Sequence, residues 1–246
     1  MNKIFWTQRV NTYGHTGWSD NITYMYDQSL RLNLVEKMIQ KYFSDKLKFS
    51  LDYGCGSGDF TKLLASYSVE TTGVDIAQEI IDVAIQKNKQ SNISFLQLDD
   101  LDNTTDKYSL VNAITVLQHI LLDNELNHVL AKINKMLTPA GIFIIVDSYG
   151  DNTKSEYMKF RKYEDFLTLL SNNNFDILET YNLYHPQEKP TKLFTLYSNN
   201  IFVRILNKLR YTKQLDHVAK YISSFDCPIV ISDTTTKLTI AKKRMS

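Results

Sequence analysis

Three glycines at alternate positions, Gly54, Gly56 and Gly58, form the segment of this chain whose spacing best suits ligand binding. They follow a short apolar segment, Phe49 to Tyr53, that predicts a strand, and a helix is expected to begin near Asp59. Glycine has no Cβ, so such a turn can adopt positive φ and a ligand can lie against its backbone. Because the amides at the start of the following helix face the same space, the turn predicts a binding site there.

Carboxylates and one hydroxyl stand at the ends of the predicted strands. Asp52 precedes the first glycine by two residues, and Asp75 ends the second predicted strand 23 residues later. A carboxylate about 20 residues on, at the end of the second strand, can accept both ribose hydroxyls of a nucleoside. Asp99 and Asp100 end the third predicted strand, and Thr115 follows the fourth. The acids alone do not choose between the cofactors that contain a ribose.

The run from Asp52 to Gly58, D-x-G-x-G-x-G, resembles the cofactor loop of class I S-adenosylmethionine (SAM) dependent methyltransferases. Its third glycine comes one position earlier than in the G-x-G-x-x-G fingerprint of dinucleotide enzymes. An acid at position 52 suits a ligand with an ammonium and a sulfonium better than a pyrophosphate. The segment Leu137–Gly141 resembles a turn of the same family, L-x-P-G-G, with Ala140 replacing one glycine. The resemblance covers roughly residues 28–183 and resumes at the last strand, and the order of its motifs is its most specific feature.

The resemblance implies a role for each of these positions. The methionine end of SAM would lie on the glycine loop, the ribose on the second acid and the adenine on the third. The residues so implied are Asp52, Gly54, Cys55, Gly56 and Gly58 for the methionine end, Asp75 for the ribose and Asp99 for the adenine, with Ile76, Asp100 and Thr115 as further cofactor-binding residues.

The segment 1–27, crowded with aromatic residues and glycine, is interpreted as a lid that folds over the bound cofactor. The basic and aromatic side chains expected to contact the acceptor in or near this lid are Arg9, Trp18, Tyr26 and Arg31. The arginines would hold an anion. The alternative is an arm that packs on the domain surface, with its aromatic residues as anchors and Arg31 as a solvated helix residue.

Three histidines are candidates for contact with the acceptor. His15, within the arm, and His119, after the fourth strand, are the candidate catalytic residues, and His185 is a candidate substrate contact after the sixth strand. A general base is needed only if the acceptor atom carries a proton. For His119 a pocket-wall role is the alternative, and a loop histidine without a partner is the alternative for His185. The His and Asp residues show no metal-site spacing, so no metal is expected.

Strand and helix patterns alternate along most of the chain, which predicts an α/β fold. It is a Rossmann-like, seven-stranded, mainly parallel sheet with helices on both faces, an N-terminal lid and an inserted cap. The helices are expected at Gln28–Phe43, Asp59–Ser66, Gln78–Asn88, Asp123–Leu137, with Asp123 as its N-cap, and Tyr163–Leu170. The boundaries are 1–27 for the lid, 28–183 for the SAM-binding core, 184–235 for the cap and 236–246 for the last strand and tail.

Composition excludes several classes of protein. The net charge of +1 provides no field that would attract DNA or RNA, and no run of about 18 apolar residues predicts a membrane span. Two cysteines do not make a disulfide framework, and residues 1–10 contain no apolar segment of a secretory signal. The expectation is a protein of the reducing cytoplasm that does not insert stably into membranes.

A small molecule is the expected acceptor. Methyltransferases of bases in DNA commonly carry an Asn/Asp-Pro-Pro-aromatic run after the fourth strand, where this chain has Thr115–Gln118. The arm followed by the glycine loop resembles methyltransferases found with bacterial surface-polysaccharide biosynthesis, including those of capsule phosphoramidate groups. That implies a phosphorylated or nucleotide-linked acceptor methylated on a phosphoryl or sugar oxygen. A non-catalytic SAM-binding partner subunit and a nucleotide-dependent oxidoreductase stay open, as does a homodimer.

Overall fold

A computed structural model of the chain describes residues 3–18, 21–103, 107–151, 154–184, 201, 205 and 235–245. The chain divides into two compact units. One comprises residues 1–16, 43–181 and 235–246, and the other residues 17–42 and 182–234. The predicted cap, 184–235, lies almost wholly outside the described residues, so its boundaries remain a prediction.

The first unit is built on a seven-stranded sheet of order β3-β2-β1-β4-β5-β7-β6. Its strands are β1 Leu47–Tyr53, β2 Ser68–Asp75, β3 Ile93–Gln97, β4 Tyr108–Ile114, β5 Leu137–Ser148, β6 Phe175–Asn182 and β7 Thr236–Lys243. Strands β1 to β5 pair in parallel, and β7 runs antiparallel to β5. This confirms the predicted Rossmann-like fold and places the ends of β1, β2 and β4 at one edge.

Helices connect the strands. They are α1 Lys3–Tyr13, α3 Asp59–Tyr67, α4 Gln78–Lys87, α5 Asp123–Met136 and α6 Tyr163–Asn172, with short 3-10 turns at Leu98–Asn103 and Leu117–His119. The second unit contributes α2, Asn21–Tyr42. No helix within the described ranges is long and apolar enough to cross a membrane.

The sheet is strongly apolar because it is covered on both faces, as expected for parallel strands. The largest cluster of buried side chains includes Leu51, Val111 and Phe143 from neighbouring strands and Leu130 from α5, each with no exposed surface. This core fixes the strand ends from which the site is built.

Several local predictions were wrong. Residues 3–13 are a helix although the sequence shows no helical period there. The period is missing because Val10 is the one buried residue of α1. The predicted turn Leu137–Gly141 is the start of β5, with Ala140 at a φ of 59°. Asp123 is the first residue of α5 rather than its N-cap, and its carboxylate accepts hydrogen bonds from Lys159 and Arg161.

Candidate active site

The glycine loop turns sharply from β1 into α3. Its three glycines all have positive φ, 79° at Gly54, 52° at Gly56 and 85° at Gly58. A Cβ at Gly54 would lie 2.4 Å from a methyl group of Val116, so no larger residue fits there. The amides of Gly54 and Cys55 both donate to the carbonyl of Val74, which fastens the turn to the end of β2. The turn predicted from the sequence is thus present.

Asp75, at the end of β2, completes this loop. The amide of Gly56 donates to Oδ2 of Asp75 at 2.9 Å, and the amide of Ile76 donates to Oδ1 at 2.7 Å. Burial raises the pKa of the Asp75 carboxyl to about 6, against the effect of these amides. Each oxygen has lone pairs beyond the one used, and the side chain is only partly buried. The carboxylate can therefore accept further hydroxyl donors.

Asp52 lies behind the loop rather than at its surface. It is 2% exposed, and Oδ2 accepts a hydrogen bond of 2.5 Å from the hydroxyl of Thr61 in α3. With the Asn112 amide turned to satisfy both of its ends, that amide donates to Oδ1 at 2.9 Å. Burial raises the pKa of Asp52 to about 7. Both oxygens are engaged inside the protein, so Asp52 helps to position the loop, and its contact with the methionine end of SAM stays a prediction.

The ends of β3 and β4 differ in character. Asp99 and Asp100 lie exposed in the 3-10 turn that follows β3. Thr115, after β4, has a φ of 56°, and its hydroxyl donates to the carbonyl of Ile114. The Thr115 amide donates to the carbonyl of Val146 in β5. Thr115 is therefore held as a turn residue at the edge of the sheet, and the acids after β3 are accessible to a ligand.

Helix α1 covers part of this edge. Its residues Trp6 and Val10 pack in a small apolar cluster with Ala77 and Ile80, which follow Asp75 in the sequence. After α1 the chain turns at Gly14, and the hydroxyl oxygen of Thr16 lies 2.7 Å from the position of a Cβ at Gly56. The N-terminal segment thus touches the glycine loop directly.

Two cations hold the turn that follows α1. Arg9 donates from Nε to the carbonyl of Thr16 at 3.0 Å, and Lys87 donates to the carbonyl of Gly14 at 2.7 Å. His15, between them, stacks on Tyr13 with ring centroids 6.2 Å apart. Burial, with the charges of Lys87 and Arg9, lowers the pKa of His15 to about 4. His15 is therefore a neutral imidazole at pH 7.

His119 is a wall residue in this structure. Its Nδ1 donates to the carbonyl of Tyr157 at 2.7 Å in the tautomer that satisfies that oxygen, and the edge of Trp6 lies 4.6 Å away between centroids. The ring is 8% exposed, and burial lowers its pKa to about 4. In that tautomer Nε2 is an acceptor, 3.4 Å from the side-chain nitrogen of Gln118.

The remaining candidates belong to the second unit. Asp27, 5% exposed, accepts hydrogen bonds from the indole of Trp18, from Arg31 and from the Tyr184 hydroxyl. Arg31 also donates to the Tyr184 hydroxyl at 3.0 Å. The structure therefore directs Arg31 to an internal carboxylate rather than to an external anion, while the Trp18 ring is 52% exposed.

Two expected acceptor contacts lie outside the described part of the structure, namely the side chain of Tyr26 and all of His185. Five residues that shape the site were not found from the sequence: Thr16, Thr61, Lys87, Asn112 and Gln118. Thr61 carried one usable signal, since it lies in the first turn of the helix that begins beside the glycines. The described residues contain no group of three or more potential metal ligands.

Part of the first unit matches a known protein family. Residues 51–141, from the end of β1 to the middle of β5, match the family described as a methyltransferase domain. Over this segment the chain is similar to methyltransferase domains. The match and the fold agree with SAM as the cofactor expected from the glycine loop.

The chain is also similar to curated proteins over part of its length. An uncharacterized methyltransferase of Schizosaccharomyces pombe is 30% identical over 109 residues, 39% of this chain and 37% of the relative. A ubiquinone biosynthesis O-methyltransferase of Coxiella burnetii is 32% identical over 89 residues, 34% of this chain and 38% of the relative. The chain thus spans less than two fifths of these curated relatives.

Among solved structures, the N-methyltransferase NodS of Bradyrhizobium japonicum, in complex with S-adenosyl-L-homocysteine, shares the fold with a TM-score of 0.55. It is 20% identical, and the comparison covers 90% of this chain and 86% of that chain. This likeness extends the fold beyond the segment that matches the family.

Proposed function

We propose that the protein is a SAM-dependent methyltransferase that methylates an oxygen atom of a small molecule. The observation that carries this proposal is the pairing of a three-glycine turn with Asp75, whose carboxylate is held by amides of the loop itself. That pairing puts a half-buried hydrogen-bond acceptor beside a loop whose three glycines let a ligand approach the backbone, which suits a nucleoside attached to an amino acid.

The residues present fit this cofactor. Asp75 would accept the ribose hydroxyls, the backbone from Gly54 to Gly58 would face the methionine end, and Asp99 or Asp100 would meet the adenine amino group. Asp52 would support the loop through Thr61 and Asn112. When bound, SAM supplies a methyl group already activated by its sulfonium, so the protein chiefly has to align the acceptor.

The state of the two histidines favours one kind of acceptor. His15 and His119 both have a pKa lowered to about 4, mainly by burial, so each is neutral and weakly basic at pH 7. General bases work best when their pKa lies near the operating pH. The site therefore suits an oxygen that needs little or no deprotonation, as in a phosphoryl group, better than a sugar hydroxyl.

The oxygen atom is supported by the names of relatives, since the ubiquinone biosynthesis enzyme that matches at 32% identity is an O-methyltransferase. We propose a phosphorylated or nucleotide-linked precursor of a surface polysaccharide, such as one in capsule synthesis, as the acceptor. Arg9, beside the turn at Thr16, would be the cation nearest such a group.

Methyl transfer can be tested with purified protein, labelled SAM and a panel of acceptors, with NAD as a binding control. The expected result is binding of SAM but not of NAD, and transfer to a phosphorylated or nucleotide-linked compound. Transfer to a phosphoryl acceptor should persist in His15→Ala, and a strong fall in that variant would contradict the argument that no general base is needed. Binding of NAD alone would overturn the proposal, and transfer only to amines would overturn the assignment to oxygen.

A further inference from the structure

The turn at residues 14–16 touches three parts of the first unit at once. It follows α1 directly, because the amide of Gly14 donates to the carbonyl of Val10 at 2.8 Å. Lys87, the last residue of α4, donates to the carbonyl of Gly14. Thr16 packs on Gly56 of the glycine loop, where even a methyl group would collide with its hydroxyl.

The attachment of this turn is strong at its carbonyls and weak elsewhere. Its two cationic clamps are Arg9, from α1 itself, and Lys87, from the opposite side. Val10 is the one fully buried residue of α1, and the helix is otherwise held by the partly buried rings of Phe5 and Trp6. Segments with few buried contacts open at a low free-energy cost, well below that of global unfolding.

The position of the turn conflicts with an open cofactor site. A ligand that lies against the backbone at Gly56 has to share that space with Thr16, which already lies there at close contact. Arg9 and Trp6 lie on the same helix, and Trp6 packs against the cluster beside Asp75. Movement of the turn is therefore tied to movement of α1.

We propose that the turn at residues 14–16 is a strap, clipped by Lys87, that must lift from the glycine loop before the cofactor enters and that closes over it afterwards. The inference rests on the proposed function, because it takes the glycine loop as the cofactor site. Lys87 acts here as a latch at 2.7 Å from Gly14 and has no role in methyl transfer.

The chain offers a probe for this motion. Trp6 and Trp18 are its two tryptophans, so Trp18→Phe leaves a single indole on α1. Stopped-flow fluorescence of Trp18→Phe mixed with S-adenosylhomocysteine should give an observed rate that levels off at high ligand concentration, because opening limits binding. Lys87→Ala in that background should raise the plateau by about two- to fivefold, the range for one exposed charged contact. The neighbouring Lys89→Ala is the matched control and should leave it unchanged.

Hydrogen exchange without ligand gives an independent reading. Amides of residues 3–16 should exchange faster in Lys87→Ala than in wild type, while those of β4 and β5 stay unchanged. A rate that rises linearly with ligand and is the same in Lys87→Ala would overturn the strap while leaving SAM binding intact. Unchanged exchange in residues 3–16 would overturn the strap as well, and this result does not depend on whether S-adenosylhomocysteine binds. Absence of S-adenosylhomocysteine binding would instead contradict the proposed function.

Discussion

At the scale of single residues, the two buried acids divide the work of the loop. Asp75 is partly accessible and is oriented by two loop amides, whereas Asp52 is enclosed by Thr61 and Asn112. Burial raises the pKa of both carboxyls, to about 6 and about 7 respectively. In the proposed function the same residue type would have two roles, with Asp75 toward the ligand and Asp52 toward the scaffold.

Thr61→Val should destabilise the protein. The valine keeps the shape but removes the hydrogen bond to Asp52, and leaving a buried polar group unsatisfied costs about 1–3 kcal/mol. Chemical denaturation should show that loss, while Thr168→Val, whose exposed hydroxyl donates only to the carbonyl of Glu164, should change little. Equal effects of the two substitutions would contradict the scaffold role of Asp52.

The pH dependence of stability follows from the same acid. Because folding raises the pKa of Asp52 above its usual value, its contribution is fully present near pH 4 and is lost as the pH rises through about 7. Asp52→Asn should flatten this decline in the free energy of unfolding. A variant that declines as wild type does between pH 4 and 7 would show that Asp52 is not the group responsible.

Ligand affinity should have the opposite pH dependence. Ribose hydroxyls donate to the ionised form of Asp75, whose pKa is about 6. S-adenosylhomocysteine should therefore bind about tenfold more weakly at pH 5, one unit below that pKa, than at pH 7.5. Calorimetry at pH 5 and 7.5 measures this directly. An affinity that is the same at both values would remove the carboxylate of Asp75 from ribose binding.

At the scale of elements, the loop depends on strands that fix its ends. Gly54 has no room for a Cβ, because that atom would lie 2.4 Å from a methyl group of Val116, the second residue after β4. A Cβ at Gly14, which has a similar φ, would meet nothing within 4 Å. Gly54→Ala should therefore abolish cofactor binding or folding, and Gly14→Ala should be much milder, with only the cost of positive φ. Thermal unfolding and calorimetry of the pair separate the two effects.

Sequence patterns predicted the elements of the core but not those of the arm. Strand ends at Asp75 and Ile114, and helix starts at Asp59, Gln78 and Tyr163, were correct because buried strands and amphipathic helices leave a clear period. Helix α1 left none, since one buried residue cannot make a pattern. The contact of Thr16 with Gly56 is a tertiary contact across 40 residues, which no local spacing encodes.

At the scale of the whole molecule, the segment that matches a known family is continuous with parts of the chain outside that match. Residues 51–141 carry the family resemblance, and the sheet continues beyond them through β6 and β7 in the order β5-β7-β6. The acceptor contacts expected at Trp18 and Arg31 fall in the other compact unit, where they bind Asp27.

The central claim is that Asp75 and the glycine loop bind SAM. Calorimetry with S-adenosylhomocysteine on wild type, Asp75→Ala and the exposed control Asp82→Ala tests it most directly. The account predicts binding by wild type and Asp82→Ala, and a loss of about 1.5–3 kcal/mol or more in Asp75→Ala, the value of a hydrogen bond to a charged group. Wild-type affinity in a folded Asp75→Ala protein, or no binding by wild type, would contradict it.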